Sequence, residues 1–414
     1  VHGQLASLEE ERLAMVEGLL EGVRVLDMTI VFMGPHCTQV LGDYGADVIK
    51  VESPSGDTTR QIGPMKSKNM GNVFLHLNRN KRSVVLDLKQ PDAFEAFLKL
   101  VATADVLVYN IRPKAMERLG VTAERMHEVN PRLIMASLVG FGQDGPYAAR
   151  PVYEDLLQGL TAVPSMLVKA GAHQPLNIPM AFNDRSVGLY AASAILAALY
   201  RREKSGRGNE IEIPMFETAA TGVLMEHMAG ASFDPPLGPM GYPRSLNPER
   251  RPFATKDGHV CAVIYTDSHW RAFLEMIGQK ERIGTDPTLR DLSARTTHAH
   301  EVYALIGEEL KKRSTADWLE AFDRADIPAA PLHTLETLLE DPHLKAAGFF
   351  QVNQHPTEGA IRQMTPPGRF ADAQPSLRRH APRLGEHSVE LLREAGVDAA
   401  SLERMLASKA TVQA

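Results

Sequence analysis

The chain has 414 residues, and its 45 basic and 51 acidic side chains give a formal net charge of −6, which argues against a nucleic-acid partner. Its only two cysteines, Cys37 and Cys261, provide neither a disulfide framework nor a thiolate metal site and suit a reducing compartment. Hydrophobic residues at 44% and charged residues at 23% are ordinary for a soluble, enzyme-sized protein without a disorder signature. No apolar run is convincing as a membrane span. The opening residues, VHGQLASLEEERLAMVEGLLEG, are acidic and helix-like rather than a cationic leader, so a cytoplasmic location is expected.

In chain order, Val23 to Met28 reads as a short buried strand, Gly34-Pro35 as a turn, Thr38 to Tyr44 as a helix and Val48 to Glu52 as a second strand. Strand, helix and strand in such a short span make a βαβ unit and imply a parallel sheet. Phe74 to Ser83 reads as a basic, polar turn before a strand at Val84 to Leu88. The alternation continues with a helix over Gln90 to Ala104, a strand at Val106 to Tyr109, a helix from Lys114 to Leu119 and a strand at Leu133 to Val139. Open parallel sheets put their ligand sites at strand carboxyl ends, which directs attention to Asn110-Ile111-Arg112-Pro113 and Gly140 to Pro146. Neither a G-x-G-x-x-G nor a G-x-x-x-x-G-K-[ST] sequence occurs, so a conventional dinucleotide or P-loop site is not expected.

The most informative stretch runs from Pro179 to Gly208. Its apolar, small-residue centre, Val187 to Tyr200, is bounded by Asn183-Asp184 and by a basic turn ending in glycine. A tightly packed helix is expected, with Gly188, Ala191, Ala192 and Ala194 as its contact residues. Asp184 then has two readings, a helix cap or a nucleophilic carboxylate in the positive field of the helix start, and local sequence does not choose between them. Asn209 to Ile213 follows as a strand and Pro214 to Gly230 as a helix. A hairpin over Phe253 to Tyr265, turning at Asp257-Gly258, introduces helices over Ser268 to Met276, Ala299 to Lys312 and Ala316 to Ala325. A last helical segment opens after Leu384 and runs to about Leu406. The expected organisation is a large α/β domain begun by residues 1–234, a smaller α+β domain over 235–324, and a return segment, 325–414, completing the large domain.

Basic clusters at Lys50, Arg79-Lys81-Arg82, Arg112 to Arg118 and Arg201 to Arg207 lie at or near strand ends and would suit an anionic, nucleotide-like ligand such as coenzyme A. His36 adjoins Cys37, but neighbours in sequence rarely face one substrate, so Cys37 is expected to be buried in a helix. His298 and His300 sit at a helix start, where residues two apart do not share a face, and no metal site is expected. Glu154-Asp155 read either as a helix start or, for Glu154, as a carboxylate facing a cleft with Asp184.

These motifs resemble the class III coenzyme A transferases, the group that includes formyl-CoA transferase, carnitine CoA-transferase and bile-acid-inducible CoA-transferase-like proteins. The matching segments include VRVLDMTIVFMGPHCTQVLGDYGADVIKVE, LNRNKRSVVLDLK, VYNIRPKAMERLG, NPRLIMASLVGFGQDGPY and NDRSVGLYAASAILAALYRREKSGRGNEIEIPMFETA, and they cover most of the chain in order. The resemblance implies a Rossmann-like large domain and a small domain, two chains threaded into an interlocked homodimer, and coenzyme A as co-substrate rather than a tightly bound cofactor. It implies Asp184 as the catalytic nucleophile, with Glu154, Tyr153 and Gln158 beside it, and coenzyme contacts from Arg79, Lys81, Arg82, Arg112 and Arg118. The implied partners are an acyl-CoA and a carboxylic acid, joined through aspartyl anhydride and aspartyl-CoA intermediates. Phe32 stands where some formyl-CoA transferases carry a glutamine, and their glycine-rich loop is replaced by PLGPMGYPRSLNPERRP. Arg244, with Arg250 and Arg251, would suit a dicarboxylic acyl group. Two competing readings are an α-methylacyl-CoA racemase, whose histidine position is matched here by Val152-Tyr153-Glu154, and an inactive CoA-binding subunit.

Overall fold

The computed structural model describes residues 18–414, so most of the acidic opening helix expected from sequence lies outside the described residues. The chain forms two compact units. The first contains the chain up to Leu157, Met180–Ala219 and Leu344–Ala414; the second contains Gln158–Pro179 and Ala220–His343.

Six strands organise the first unit: β1 (Arg24–Met28), β2 (Asp47–Glu52), β3 (Lys81–Val85), β4 (Val106–Tyr109), β5 (Ile134–Val139) and β6 (Asn209–Pro214). They pair in parallel throughout, in the order β3-β2-β1-β4-β5-β6. This is a Rossmann-type order, with its reversal of winding between β1 and β4. Both faces are covered, and the two-residue side-chain period of a strand divides each strand between them. Val25, Val48, Val106, Ile134 and Ala136 enter one apolar cluster, while their neighbours Leu26, Ile49, Leu107 and Met135 enter the other.

On the first face lie α1 (Met33–Asp43) and, later in the chain, α7 (Phe182–Ser205). Gly34 and Pro35, expected to form a turn, are in the first turn of α1, where proline's missing N–H costs no hydrogen bond. A Cβ at Gly34 would lie 2.3 Å from Thr29 Cβ, so only glycine permits this entry. Phe74 to Leu77, expected to be part of a polar turn, close a short helix, α2 (Asn72–Leu77). The other face carries α3 (Pro91–Ala102), α4 (Pro113–Arg118) and α5 (Ala123–Val129), followed on the chain by α6 (Glu154–Leu160) and, after α7, by α8 (Met215–His227). Of these, α5 is a helix not expected from sequence; the Thr122 side chain caps it by accepting from Arg125 N.

The second unit holds a three-stranded antiparallel sheet, β7 (Phe253–Ala254), β8 (His259–Ala262) and β9 (Ala329–Pro331). Against it pack α9 (Asp267–Met276), α10 (Ala299–Leu310) and α11 (Thr315–Arg324) through Trp270, Phe273, Ile306, Trp318 and Phe322. The Trp318 indole donates to Leu310 O at 2.8 Å. The chain then rejoins the first unit with a hairpin, β10 (Phe350–His355) and β11 (Gly359–Met364), and two helices, α12 (Ser388–Glu394) and α13 (Ala399–Ala407). Leu391, Leu392, Leu402 and Met405 complete the apolar cluster on the second face.

On and beside β1–β3, charged side chains are buried as three pairs. Lys81 Nζ meets Asp27 Oδ2 at 2.9 Å, Lys50 Nζ meets Asp57 Oδ2 at 3.0 Å, and Arg60 Nη2 meets Glu52 Oε2 at 2.7 Å. Burial alone would raise Asp27, but the Lys81 and Lys50 ammonium groups and the Thr29 hydrogen bond hold it down at about 2. Thr38 adds a hydroxyl donor to Asp27 Oδ2 at 2.7 Å, and Lys50 Nζ donates to Thr29 O at 2.8 Å. The loop leaving β1 is thus fixed from below. Replacing Lys81 with methionine would strand the Asp27 carboxylate and is expected to cost about 3–5 kcal/mol. Urea denaturation measures this, and a loss below about 1 kcal/mol, typical of an exposed pair, would contradict it.

Candidate active site

The loops after β1 and β4 flank the point where the winding of the sheet reverses, where such sheets form their ligand crevice. Asn110 joins them: its Oδ1 accepts from Ile30 N at 2.9 Å and its Nδ2 donates to Ile30 O at 2.8 Å. The next residue, Val31, has φ 72°, a left-handed conformation that a β-branched side chain rarely adopts. Its N–H donates to Asp57 Oδ1 at 3.2 Å, which links this conformation to the buried ion pairs. Strain held in this way is characteristic of functional sites.

A cavity of about 350 Å³ opens above these loops, lined by Val31, Phe32, Asn110, Arg112, Arg150, Tyr153 and Asp184 among others. Four residues expected from sequence therefore meet here: Phe32, Arg112, Tyr153 and Asp184. Arg150 joins them without having been expected. Its guanidinium lies 4.2 Å from the centre of the Tyr147 ring.

Asp184 stands in the first turn of α7, whose N-cap is Ala181 and lacks a capping side chain. Asp184 therefore does not cap its own helix. Glu154, at the start of α6, caps it from outside. Its Oε2 accepts from Asp184 N at 2.9 Å, and its Oε1 accepts from Asn183 N and from Asn183 Nδ2, each at 3.2 Å. A carboxylate on the first N–H groups of a helix satisfies donors that have no intrahelical partner and suits the positive end of the dipole. The arrangement fixes the backbone that carries Asp184. Burial, and then the neighbouring Glu154 charge, push the Asp184 carboxyl up to about 7 against the opposing Arg185 guanidinium. Behind it, α7 lies close to α1: a Cβ on Gly188 would come within 2.7 Å of Met33 O. The small residues of this helix thus hold Asp184 at a set distance from the loop bearing Phe32.

The remaining expected residues lie elsewhere. Arg79 binds Asp43 through Nε at 3.0 Å and Nη2 at 2.7 Å, and Lys81 is enclosed with Asp27. Arg82 grips Asp47 at 2.7 Å and the α12 carboxylates Glu390 and Glu394 at 2.8 and 2.9 Å. This basic run points inward, because each cation is buried against a carboxylate supplied by another element, and none of the three enters the cavity. Arg118 is exposed at the end of α4 and donates to Lys114 O at 3.2 Å. Gln158 holds the Ile178 backbone, accepting from its N–H at 2.7 Å and donating to its carbonyl at 3.2 Å. Arg244 donates to the Tyr303 hydroxyl at 3.1 Å. Cys37 is buried in α1 and its thiol is pushed up by that burial, so it is not a nucleophile. Among the described residues no group of histidine, cysteine and carboxylate side chains could hold a metal ion, and no helix is long and apolar enough to cross a membrane.

A Rossmann-type sheet whose crevice pairs a fixed carboxylate with arginines marks an α/β enzyme for an anionic, nucleotide-like substrate. The model of CoA-transferase family III matches residues 20–388. Over 398 residues the chain is 33% identical to a formyl-CoA:oxalate CoA-transferase of Rhodopseudomonas palustris, covering 91% of this chain and 93% of that one. It is 32% identical over 386 residues to a succinate–glutarate CoA-transferase of Agrobacterium fabrum, covering 91% and 95%. A crystal structure of a CAIB/BAIF family protein from Brucella suis matches with a TM-score of 0.76 at 30% identity, over 92% of this chain and all of that one. The chain belongs to CoA-transferase family III and is an acyl-CoA:carboxylate CoA-transferase of that family.

The raised Asp184 gives a pH dependence of definite sign. The folded chain keeps this proton up to about 7, whereas the unfolded chain releases it near 3.8. The folded state therefore binds the extra proton in that window, and its contribution, complete below the lower value, is lost as pH rises through about 7. Replacing Asp184 with asparagine should remove this slope, so the variant should gain in melting temperature on the wild type as pH rises. Equal pH slopes in thermal melts of the two proteins would show that Asp184 has an ordinary carboxyl group.

Proposed function

We propose that this enzyme transfers CoA through covalent intermediates on Asp184. The observation that carries the reading is the Glu154 grip on the Asn183 and Asp184 amides, which presents the Asp184 carboxylate at the cavity wall. The carboxylate attacks the thioester carbonyl of an acyl-CoA, forming a mixed anhydride and releasing CoA thiolate. That thiolate attacks the aspartyl carbonyl, giving an aspartyl-CoA thioester and freeing the donor acid. The acceptor carboxylate then attacks the same carbonyl, forming a second anhydride and expelling the thiolate. Attack of the thiolate on the acceptor's carbonyl yields the new acyl-CoA and restores Asp184. A carboxylate raised to about 7 is more basic, and so more nucleophilic once ionised, than an ordinary aspartate.

Arg112 and Arg150 line the cavity and make no ion pair among the described residues, which supports them as partners for the coenzyme's phosphates. The N–H groups of residues 183 and 184 serve Glu154, so oxyanion stabilisation falls to other donors in the cavity. An interlocked homodimer is part of this reading, supported by large apolar side chains left exposed, such as Tyr190, Tyr200, Met225 and Leu237. A cytoplasmic setting is supported by two free cysteines.

Replacing Asp184 with alanine is expected to lower transfer on the order of 10⁴-fold, and hydroxylamine should trap an aspartyl adduct at residue 184 of the wild type by mass spectrometry. Undiminished transfer by the variant would refute the nucleophile. In the wild type, kcat/KM should rise with pH through about 7 as Asp184 ionises, and a pH-independent rate would count against that assignment.

A further inference from the structure

The strand order leaves β3 at an edge of the parallel sheet, and the backbone groups of an edge strand that face away from its neighbour need partners. Side chains of the returning chain supply them. Val85 N donates to Ser388 Oγ at 3.1 Å, and Val85 O accepts from Thr411 Oγ1 at 2.7 Å. Ser83 is held at both backbone groups by one residue, His387, whose N–H donates to Ser83 O at 2.9 Å and whose Nδ1 accepts from Ser83 N at 3.2 Å. Of these side-chain partners only the imidazole titrates near neutral pH.

Ser83 is also the first member of a buried relay. Its hydroxyl donates to Glu52 Oε2 at 2.9 Å and accepts from Gly385 N at 3.0 Å. Glu52 Oε1 accepts from Asp57 N at 3.0 Å, and Asp57 Oδ1 accepts from Val31 N at 3.2 Å. Val31, in its left-handed conformation, lines the Asp184 cavity. Ser83, Glu52 and Asp57 are at most 4% exposed, so no water replaces a bond lost among them. Four hydrogen bonds thus run from the imidazole of His387 to the wall of the active site.

His387 Nδ1 accepts only while it carries no proton, which puts the proton of the neutral ring on Nε2. A protonated ring would turn an N–H against the Ser83 N–H, donor against donor. Burial, joined by Arg82 on β3 and Arg379 and opposed by Glu386 and Glu390, holds His387 below its ordinary value. Lys81, His355 and His380 line the small cavity beside it. We infer that His387 is a positioning residue for CoA transfer: as a neutral imidazole it latches the returning chain to β3, and through Ser83, Glu52 and Asp57 it holds the loop that lines the Asp184 cavity. Acid opens the latch. The folded chain binds this proton less readily than the unfolded one, so the stabilisation is complete above about 6.5 and is lost as pH falls from there.

The test uses the full chain and two variants that separate accepting from titrating. His387→Asn keeps an oxygen to receive the Ser83 N–H but does not titrate, whereas His387→Leu has no acceptor. Amide hydrogen exchange is followed by mass spectrometry, and kcat is measured with the acyl-CoA and carboxylic acid that the wild type turns over fastest. At pH 8, His387→Leu should speed exchange roughly tenfold in the peptides containing Ser83 and Val31 and lower kcat by a similar factor, while His387→Asn stays within about twofold of wild type. Between pH 8 and pH 5, wild-type kcat divided by that of His387→Asn should fall about fivefold or more, and the titration of Asp184 cancels in this ratio. Faster exchange at Ser83 with Val31 and kcat unmoved would make His387 an anchor of the returning chain alone and overturn the inference. A ratio that stays flat with pH would overturn it as well, and that measurement needs no folded leucine variant. The inference requires CoA transfer but not the covalent route through Asp184, so a missing hydroxylamine adduct would sink that route and leave the latch standing.

Discussion

The buried charges beneath the first three strands are the constraint on which the cavity geometry rests. Three carboxylates and three cations removed from water on and beside β1–β3 repay their desolvation only in a narrow range of positions. Asp57 ties this array to the loop that lines the cavity: one oxygen meets Lys50 and the other receives the Val31 N–H. A displacement of the loop would therefore disturb charges that have no water to turn to. That is how an unfavourable conformation at Val31 persists in the wall of the Asp184 cavity, and why Phe32 has a fixed place beside it.

The second constraint acts on Asp184 itself. Glu154 holds the start of α7 by its amides and at the same time places a negative charge beside Asp184. The same side chain thus fixes the position of Asp184 and adds to the basicity that burial gives it. The exchange has a chemical cost, because amides that donate to Glu154 are unavailable to a developing oxyanion in the proposed chemistry. The proposed chemistry therefore calls on other donors in the cavity, unlike a site in which a bare helix start does both jobs.

The parts of the fold legible in sequence were those with short-range causes. Val25-Leu26, Val48-Ile49 and Val106-Leu107 are β-branched and aliphatic runs of strand length, and they became strands buried on both faces. The small residues before Arg201 announced the tightly packed α7. Pro35 was misleading because proline suits both a turn and the first turn of a helix. The Asn78 to Ser83 run concealed the start of β3, since charges read as exposed until their partners are known. Those partners, Asp27, Asp43 and Asp47, are distant in sequence, so neither the inward direction of Arg79, Lys81 and Arg82 nor the ion-pair array was legible. Asp184 stood out at its helix start and, with Tyr153, was given a role only by the family motifs, whereas Asn110 and Arg150 gain meaning only when two loops meet. Glu154 was legible as a helix-start residue, but the amides it accepts from belong to α7.

The return of the chain to the first unit has a consequence for synthesis. All six strands of the parallel sheet are complete once Pro214 has been made, yet Leu391, Leu392, Leu402 and Met405, and the Glu390 and Glu394 partners of Arg82, come nearly two hundred residues later. On a ribosome adding about 5–20 residues per second, one flank of the sheet waits many seconds for its cover. During that wait the nascent chain leaves part of this apolar cluster uncovered, beyond what α3–α5 already cover, and a guanidinium lacking two of its carboxylates. Chaperone demand should then peak late in elongation, so the yield of native enzyme is governed by its final helices rather than by the sheet they close.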